Sequence, residues 1–254
     1  MDNQQTDEEL GYPKPPITEA VIERRFATSL DPQELEKLRA EFEQTYPAVS
    51  QLAELSIAVP GDGSTPIMSQ TPTGYRLVHR NGAAIIVLTN IAIAYAQLAP
   101  YIGWRGFKNN AFSVFQSVRD TIGYRALARI GVRYINRLDI PLPSTDFGPG
   151  IPELDDYLLI GVKHPDNIVR NFRSLTVQCA FPIDDIECEA TINAASIVSP
   201  VPNHASFLLD IDIGKMVNVP QKEEDISNLL DIIRHKKNWL FEACITDKTR
   251  SLFR

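Results

Sequence analysis

The chain is poor in the residues that most often announce chemistry. Its three cysteines, Cys179, Cys188 and Cys244, are odd in number and lack CxxC spacing, which argues against a disulfide framework and a thiolate metal site. The cysteines fall in presumed strands or in the final helix, where a free thiol acts as a small buried apolar group. The four histidines, His79, His164, His204 and His235, never fall at metal-ligand spacing, and HExxH is missing. No glycine-rich loop follows a strand to cradle phosphate, and Ser206 near His204 has no nucleophile-elbow context. No catalytic residue, cofactor or metal is therefore expected. The leading reading is a non-enzymatic binding protein, and the alternative is a sensor or enzyme that holds a small phosphorylated or carboxylated ligand on an arginine-bearing sheet face.

Long apolar runs are scarce too. The longest, Ala83 to Leu88, is too short to cross a bilayer, and its extension to Leu98 is broken by Thr89, Asn90 and Gln97. The acidic, polar start MDNQQTDEEL is the reverse of a signal peptide, so a cytoplasmic protein is expected, with no membrane partner. Positive charge is in deficit: 25 Lys+Arg against 32 Asp+Glu give a net charge of −7. Nucleic-acid binding draws on phosphate neutralisation, so it is not expected of such a chain.

What remains is a globular composition, 254 residues with 44% hydrophobic and 22% charged side chains. Residues 1–14 read as a disordered leader, and 15–254 as a single α+β domain, with 15–141 and 153–254 as two similar sub-halves if the meander-plus-helix pattern is repeated. Ile17 to Phe26 alternates as a strand, with Ala20, Ile22 and Phe26 on one face and Glu19, Glu23 and Arg25 on the other; Arg24 falls on the apolar face. Asp31-Pro32 starts a helix that carries Leu35, Leu38 and Phe42 and stops at Pro47. Ala53 to Val59 is a strand, and Pro60 to Pro66 a loop. Asn81-Gly82 joins Gly74–Arg80 and Ala83–Thr89 as a tight hairpin, and Ile91–Gln97 continues or pairs with the second strand. Helices are expected over Asn109–Ile122 and from Glu223 to about Thr246. Further strands are expected over Arg129–Pro141, Tyr157–Lys163, Asn171–Phe181, Ile186–Ala194 and Ser206–Ile213, with an acidic turn at Glu153–Asp156. Runs of strands closed by single helices favour α+β with a largely antiparallel sheet.

Candidate chemistry concentrates on IGVRYINRLDIP. Alternation turns Ile130, Val132, Tyr134, Leu138 and Ile140 one way, and Arg129, Arg133, Arg137, Asp139, Gly131 and Ile135 the other. Three guanidiniums on one strand face form a forked donor array suited to phosphates or carboxylates, and Gly131 leaves a gap in it. The same array can instead pair with carboxylates such as Glu19 and Glu23 on a neighbouring strand. Those two glutamates, four residues apart, are too widely set for a catalytic carboxylate pair. Trp104, in an aromatic and glycine cluster before a helix, either stacks on bases beside Arg105 and Lys108 or plugs the core. The apolar Leu252-Phe253 either docks on a partner or folds back.

Three segments carry a resemblance: Pro15-Pro16-Ile17-Thr18-Glu19-Ala20-Val21-Ile22-Glu23, Ile130 to Pro141, and Phe241-Glu-Ala-Cys-Ile-Thr-Asp-Lys-Thr-Arg250. Together they resemble the signature blocks of the sporadically distributed family of uncharacterised bacterial and archaeal proteins of about this length. The resemblance implies no established activity. A patchy distribution suits genes on mobile or defence islands, which implies an antitoxin-like or antiphage accessory component with a protein partner or a second copy. It draws attention to Glu19, Arg133, Asn136, Arg137, Asp247 and Arg250 without giving them roles.

Overall fold

A computed structural model describes residues 11–58, 65, 67–145, 148–150, 152–162 and 174–254. Residues 1–10 of the expected leader, nearly all of the 60–66 loop, and the stretches at Lys163 and Asn171–Arg173 lie outside the described residues. The chain is α+β, with a nine-stranded antiparallel sheet and, among the described residues, four α-helices. The strand order is β2-β3-β4-β5-β1-β6-β11-β10-β9, where β1 is Ile17–Phe26, β2 Ala48–Ala58, β3 Ile67–Val78, β4 Ala84–Thr89, β5 Ala92–Leu98 and β6 Leu127–Pro141. Ser144–Thr145 (β7) and Gly148–Pro149 (β8) form a separate two-stranded piece, and β9 (Thr176–Ile183), β10 (Cys188–Ile197) and β11 (His204–Lys215) complete the large sheet.

Two compact units divide the chain: 21–131 with 216–221, and 1–20 with 132–215 and 222–254. In the first unit, β2 to β5 form an antiparallel meander in which His79 and Ala84 close the Asn81-Gly82 turn. Two helices pack on it, α1 (Pro32–Glu43) and α2 (Trp104–Ile122). The start of α1 is fixed locally. Asp31 accepts from the Glu34 amide (2.8 Å), and Glu34 accepts from the Asp31 amide (3.1 Å), a reciprocal cap reinforced by Pro32. Asp31→Ala should cost about 1 kcal/mol, read as a melting point lower by about 2–4 °C.

Helix α2 begins five residues before the expected Asn109. Trp104, Phe107, Ala111, Val114, Phe115 and Val118 all bury, a stripe whose first turn the glycines at 103 and 106 disguise. The Trp104 indole packs 6.0 Å from the Phe107 ring, and Tyr95 closes on Phe107 at 5.9 Å. Trp104 is thus the core plug, with no open face for a base. Arg24, the exception on the apolar face of β1, is buried with its guanidinium 4.2 Å from the Phe115 centroid and 5.1 Å from that of Phe112. The aromatic faces give its charge a partner that aliphatic neighbours could not.

In the second unit, β10 pairs antiparallel with β9 and β11, and α3 (Glu223–Cys244) packs on β11. Ile226, Leu230, Ile233 and Leu240 of α3, with Val132, Leu138, Leu209, Ile211 and Ile213 of the sheet, form its core. Each such side chain contributes roughly 1.5–3 kcal/mol of hydrophobic stabilisation. Three expectations need correction here. The described part of Tyr157–Lys163 is not a strand: Leu154–Asp156 is a 3₁₀ turn, and Leu158 makes one isolated bridge to Ile245. Tyr157 and Leu158 are both buried, so the alternation a surface strand needs is absent. The long helix stops at Cys244, and Thr246 caps a separate short helix, α4 (Asp247–Ser251). Cys179, expected to be buried, is exposed on β9.

Candidate functional site

The alternation along β6 holds, since Ile130, Val132, Tyr134, Asn136, Leu138 and Ile140 are buried. Opposite them, each arginine already meets a carboxylate. Arg129 donates from Nη1 to Glu23 (2.8 Å), a carboxylate that Arg25 also reaches at 3.2 Å. Its guanidinium lies across Gly131, where an added Cβ would fall 2.2 Å from Nη1. The gap at Gly131 is thus filled by Arg129 itself.

Arg133 forms a bidentate pair with Asp210, Nε to Oδ1 and Nη2 to Oδ2, both 2.8 Å. Asn193 adds a donor to the same carboxylate at 3.2 Å. These bonds, with Asp212 and Glu19 nearby, hold the Arg133 guanidinium above its usual pKa. Glu19 reaches this arginine through its field. Arg137 donates from Nε to Asp139 (3.1 Å), whose Oδ1 also accepts from the buried Ser206 hydroxyl (2.6 Å). On the other face, Asn136 donates to the Leu209 carbonyl (3.0 Å). A phosphate or carboxylate ligand would have to displace these carboxylates to reach the arginines.

Asp247 and Arg250 belong to a different network. Arg250 donates to Asp247 (2.7 Å), to the Glu242 carboxylate (2.6 Å) and to the Glu242 carbonyl (2.8 Å). Glu242 in turn accepts from the Tyr12 hydroxyl at 2.7 Å. Burial first, and Glu242 second, push the Tyr12 phenol up to about 12, so it remains a donor. The apolar tail folds back, with Phe253 buried 5.2 Å from the Tyr12 ring and 6.3 Å from that of Phe241. This is a clamp between two ends of the unit, and it shares no residue with the arginine strand. The sequence pattern does not single out Asp210 and Asp212, although their i, i+2 spacing in Phe207-Leu-Leu-Asp-Ile-Asp-Ile213 marks an acidic strand face.

The strongest unsatisfied surface lies on the β2–β3 ribbon. In register, Ala53 opposes Pro72, Leu55 opposes Gln70 and Ile57 opposes Met68; Glu54 opposes Thr71 and Ser56 opposes Ser69. Opposed residues share a face, so one side is mainly apolar and the other polar. Both sides are open: on the apolar one Leu55 and Ile57 are each 58% exposed and Met68 64%, and on the polar one Glu54, Ser56, Ser69 and Thr71 are exposed. Strand β2 is also the edge of the sheet, eleven residues long with Glu54 as its one charge and no proline. Natural edges are usually guarded by charge, proline or brevity.

The fold and these surfaces define an α+β protein with an internally neutralised arginine face and an open amphipathic ribbon. No protein-family model and no curated protein matches the chain. No described helix is long and apolar enough to cross a membrane.

Proposed function

We propose that this chain is a non-enzymatic interaction protein that docks a protein partner along the β2–β3 ribbon. The observation that carries this reading is the exposed apolar face of Ala53, Leu55, Ile57, Met68 and Pro72, backed by a polar face that is equally exposed. A two-stranded ribbon without cover is marginal in water. An added strand along β2, or an apolar surface laid on the ribbon, would satisfy both the edge and the face. The paired arginines of β6 support the same reading, since their charge is already neutralised inside the fold. In the setting implied by the family resemblance, the partner would be a toxin or a defence effector, with a second copy of the chain as the other occupant.

The test is a Leu55→Asp, Ile57→Asp double variant, compared with the wild type by affinity capture from the native host and by light scattering. The wild type is expected to hold one partner in fixed stoichiometry or to self-associate. The variant should lose that complex while its melting point moves little. A complex that survives the double substitution, or a wild type that is monomeric and alone, would overturn the reading.

A further inference from the structure

A cleft of about 460 Å³ opens in the first unit, between the end of α1, the β3–β4 turn, β5 and α2. That volume is in the range of small-molecule sites. Phe42, Ile102 and Val114 supply apolar walls, and among the described residues no lysine or arginine lines it. Its one charged lining residue is Glu41, an exposed carboxylate that forms no ion pair among the described residues. Anionic ligands are therefore disfavoured.

The polar groups inside divide into those already satisfied and those left open. Gln97, buried on β5, donates to the Ala83 (2.8 Å) and Leu98 (3.1 Å) carbonyls and accepts from Tyr95 at 3.3 Å. Tyr46 differs. It is 7% exposed, and its hydroxyl has no hydrogen-bond partner among the described residues. Its ring packs edge-on against Phe42 (6.1 Å) and His79 (5.1 Å). The residue is mostly buried, yet its hydroxyl is not a buried unmet group: it lines the cleft and is open to a ligand there. Burial also pushes this phenol up to about 12, keeping it a donor as well as an acceptor. Beside it, Asn81 uses its carbonyl oxygen to accept from the Ala83 amide (2.9 Å) and to hold His79 Nδ1 (2.7 Å), which leaves its amide nitrogen to donate elsewhere.

We propose that this cleft binds an uncharged, flat, hydrogen-bonding small molecule of the nucleoside class, with the Tyr46 hydroxyl and the Asn81 amide meeting its polar edge. A base offers two apolar faces for the walls and an edge of donors and acceptors for a hydroxyl and an amide. A 5′-phosphate would add charge in a site whose one ionised lining group is a carboxylate. The ribbon plays no part in this site, so its Leu55→Asp, Ile57→Asp variant should bind nucleosides as the wild type does.

The experiment is calorimetric titration of the full chain with adenosine, guanosine, cytidine and uridine, their 5′-monophosphates, and free ribose, each to about 1 mM. At least one nucleoside should bind, more tightly than its monophosphate and with ribose silent. Tyr46→Phe, which removes only the hydroxyl, should weaken binding about 5- to 10-fold. Ser113→Trp, at an exposed position of α2 on the cleft, should abolish it without disturbing the core. Four silent nucleosides, monophosphates that bind more tightly, binding of ribose alone, or a Tyr46→Phe variant that binds as the wild type would each overturn the proposal.

Discussion

Gly74→Ala is expected to destabilise the protein by about 3 kcal/mol or more, lowering its melting point by about 10 °C. Gly74 sits mid-strand in β3, paired with Leu52 of β2 on one side and Thr89 of β4 on the other. A Cβ there would fall 1.9 Å from the Leu88 carbonyl oxygen and 2.8 Å from the Thr89 Cα. Both are backbone atoms held by the ladder, so the strands must part. The register already shifts by one residue between Leu52 and Ala53, which brings the backbones close at this point. Two other glycines calibrate the effect. At Gly131 the intruding Cβ meets only the end of the Arg129 side chain, which can move, so alanine there should cost under about 1 kcal/mol. At Gly82 there is open space but φ is +72°, so the cost should be about 1–2 kcal/mol of backbone strain. Urea midpoints should therefore rank Gly131→Ala above Gly82→Ala above Gly74→Ala. A Gly74→Ala protein as stable as the wild type would refute the close approach.

Lys237→Met should stabilise the protein at pH 7 by about 3 kcal/mol, and the gain should shrink as pH rises towards 10. Lys237 lies on the buried face of α3 with its ammonium 3.9 Å from the Tyr134 ring centroid. Burial, and then the neighbouring Arg234, drive its pKa from 10.5 down to about 7, with Glu242 opposing. Between those values the unfolded chain carries a proton that the folded chain has shed, so stability climbs with pH across the window. Below it, both states are protonated and the fold bears the whole cost of the buried charge. That cost is roughly 5 kcal/mol for the full shift, of which the aromatic face returns a part. Methionine keeps the length and the packing of the lysine stem without the charge. Denaturant midpoints of both proteins at pH 7, 8.5 and 10 decide the matter. A variant less stable than the wild type at pH 7, or a difference that ignores pH, would show that Lys237 stays charged and well solvated by its neighbours.

Features set by neighbours in sequence are legible from local pattern alone. Asp31, Pro32 and Glu34 mark the start of α1, Asn81-Gly82 marks the hairpin, and alternation sorts the two faces of β6. Features set by register are not. Arg133 finds Asp210 77 residues away, and nothing local to either residue specifies that β11 lies beside β6. Glu23 is a credible partner because its strand is rich in acid, and Arg129 does meet it. The start of α2 is hidden by glycines that belong to the helix or its cap, since only packing shows that Trp104 and Phe107 continue the stripe. The ribbon's two exposed faces follow from the pairing of β2 with β3, and the cleft gathers residues from four elements with no motif spacing among them.

The clamp that joins Tyr12, Glu242, Arg250 and Phe253 has a consequence for how the molecule is made. The unit from 21 to 131 needs only the short segment 216–221 from elsewhere, so most of it can fold as the chain emerges from the ribosome. The other unit draws on the start, the middle and the end of the sequence. The strand β1 finds its neighbours β5 and β6 early, but the segment before it must wait, because Tyr12 and Lys14 meet Glu242 and Phe253 only once residues beyond 240 have been synthesised. During that interval the nascent chain carries a finished half and an unfinished one, and the unfinished half is where a chaperone would be needed.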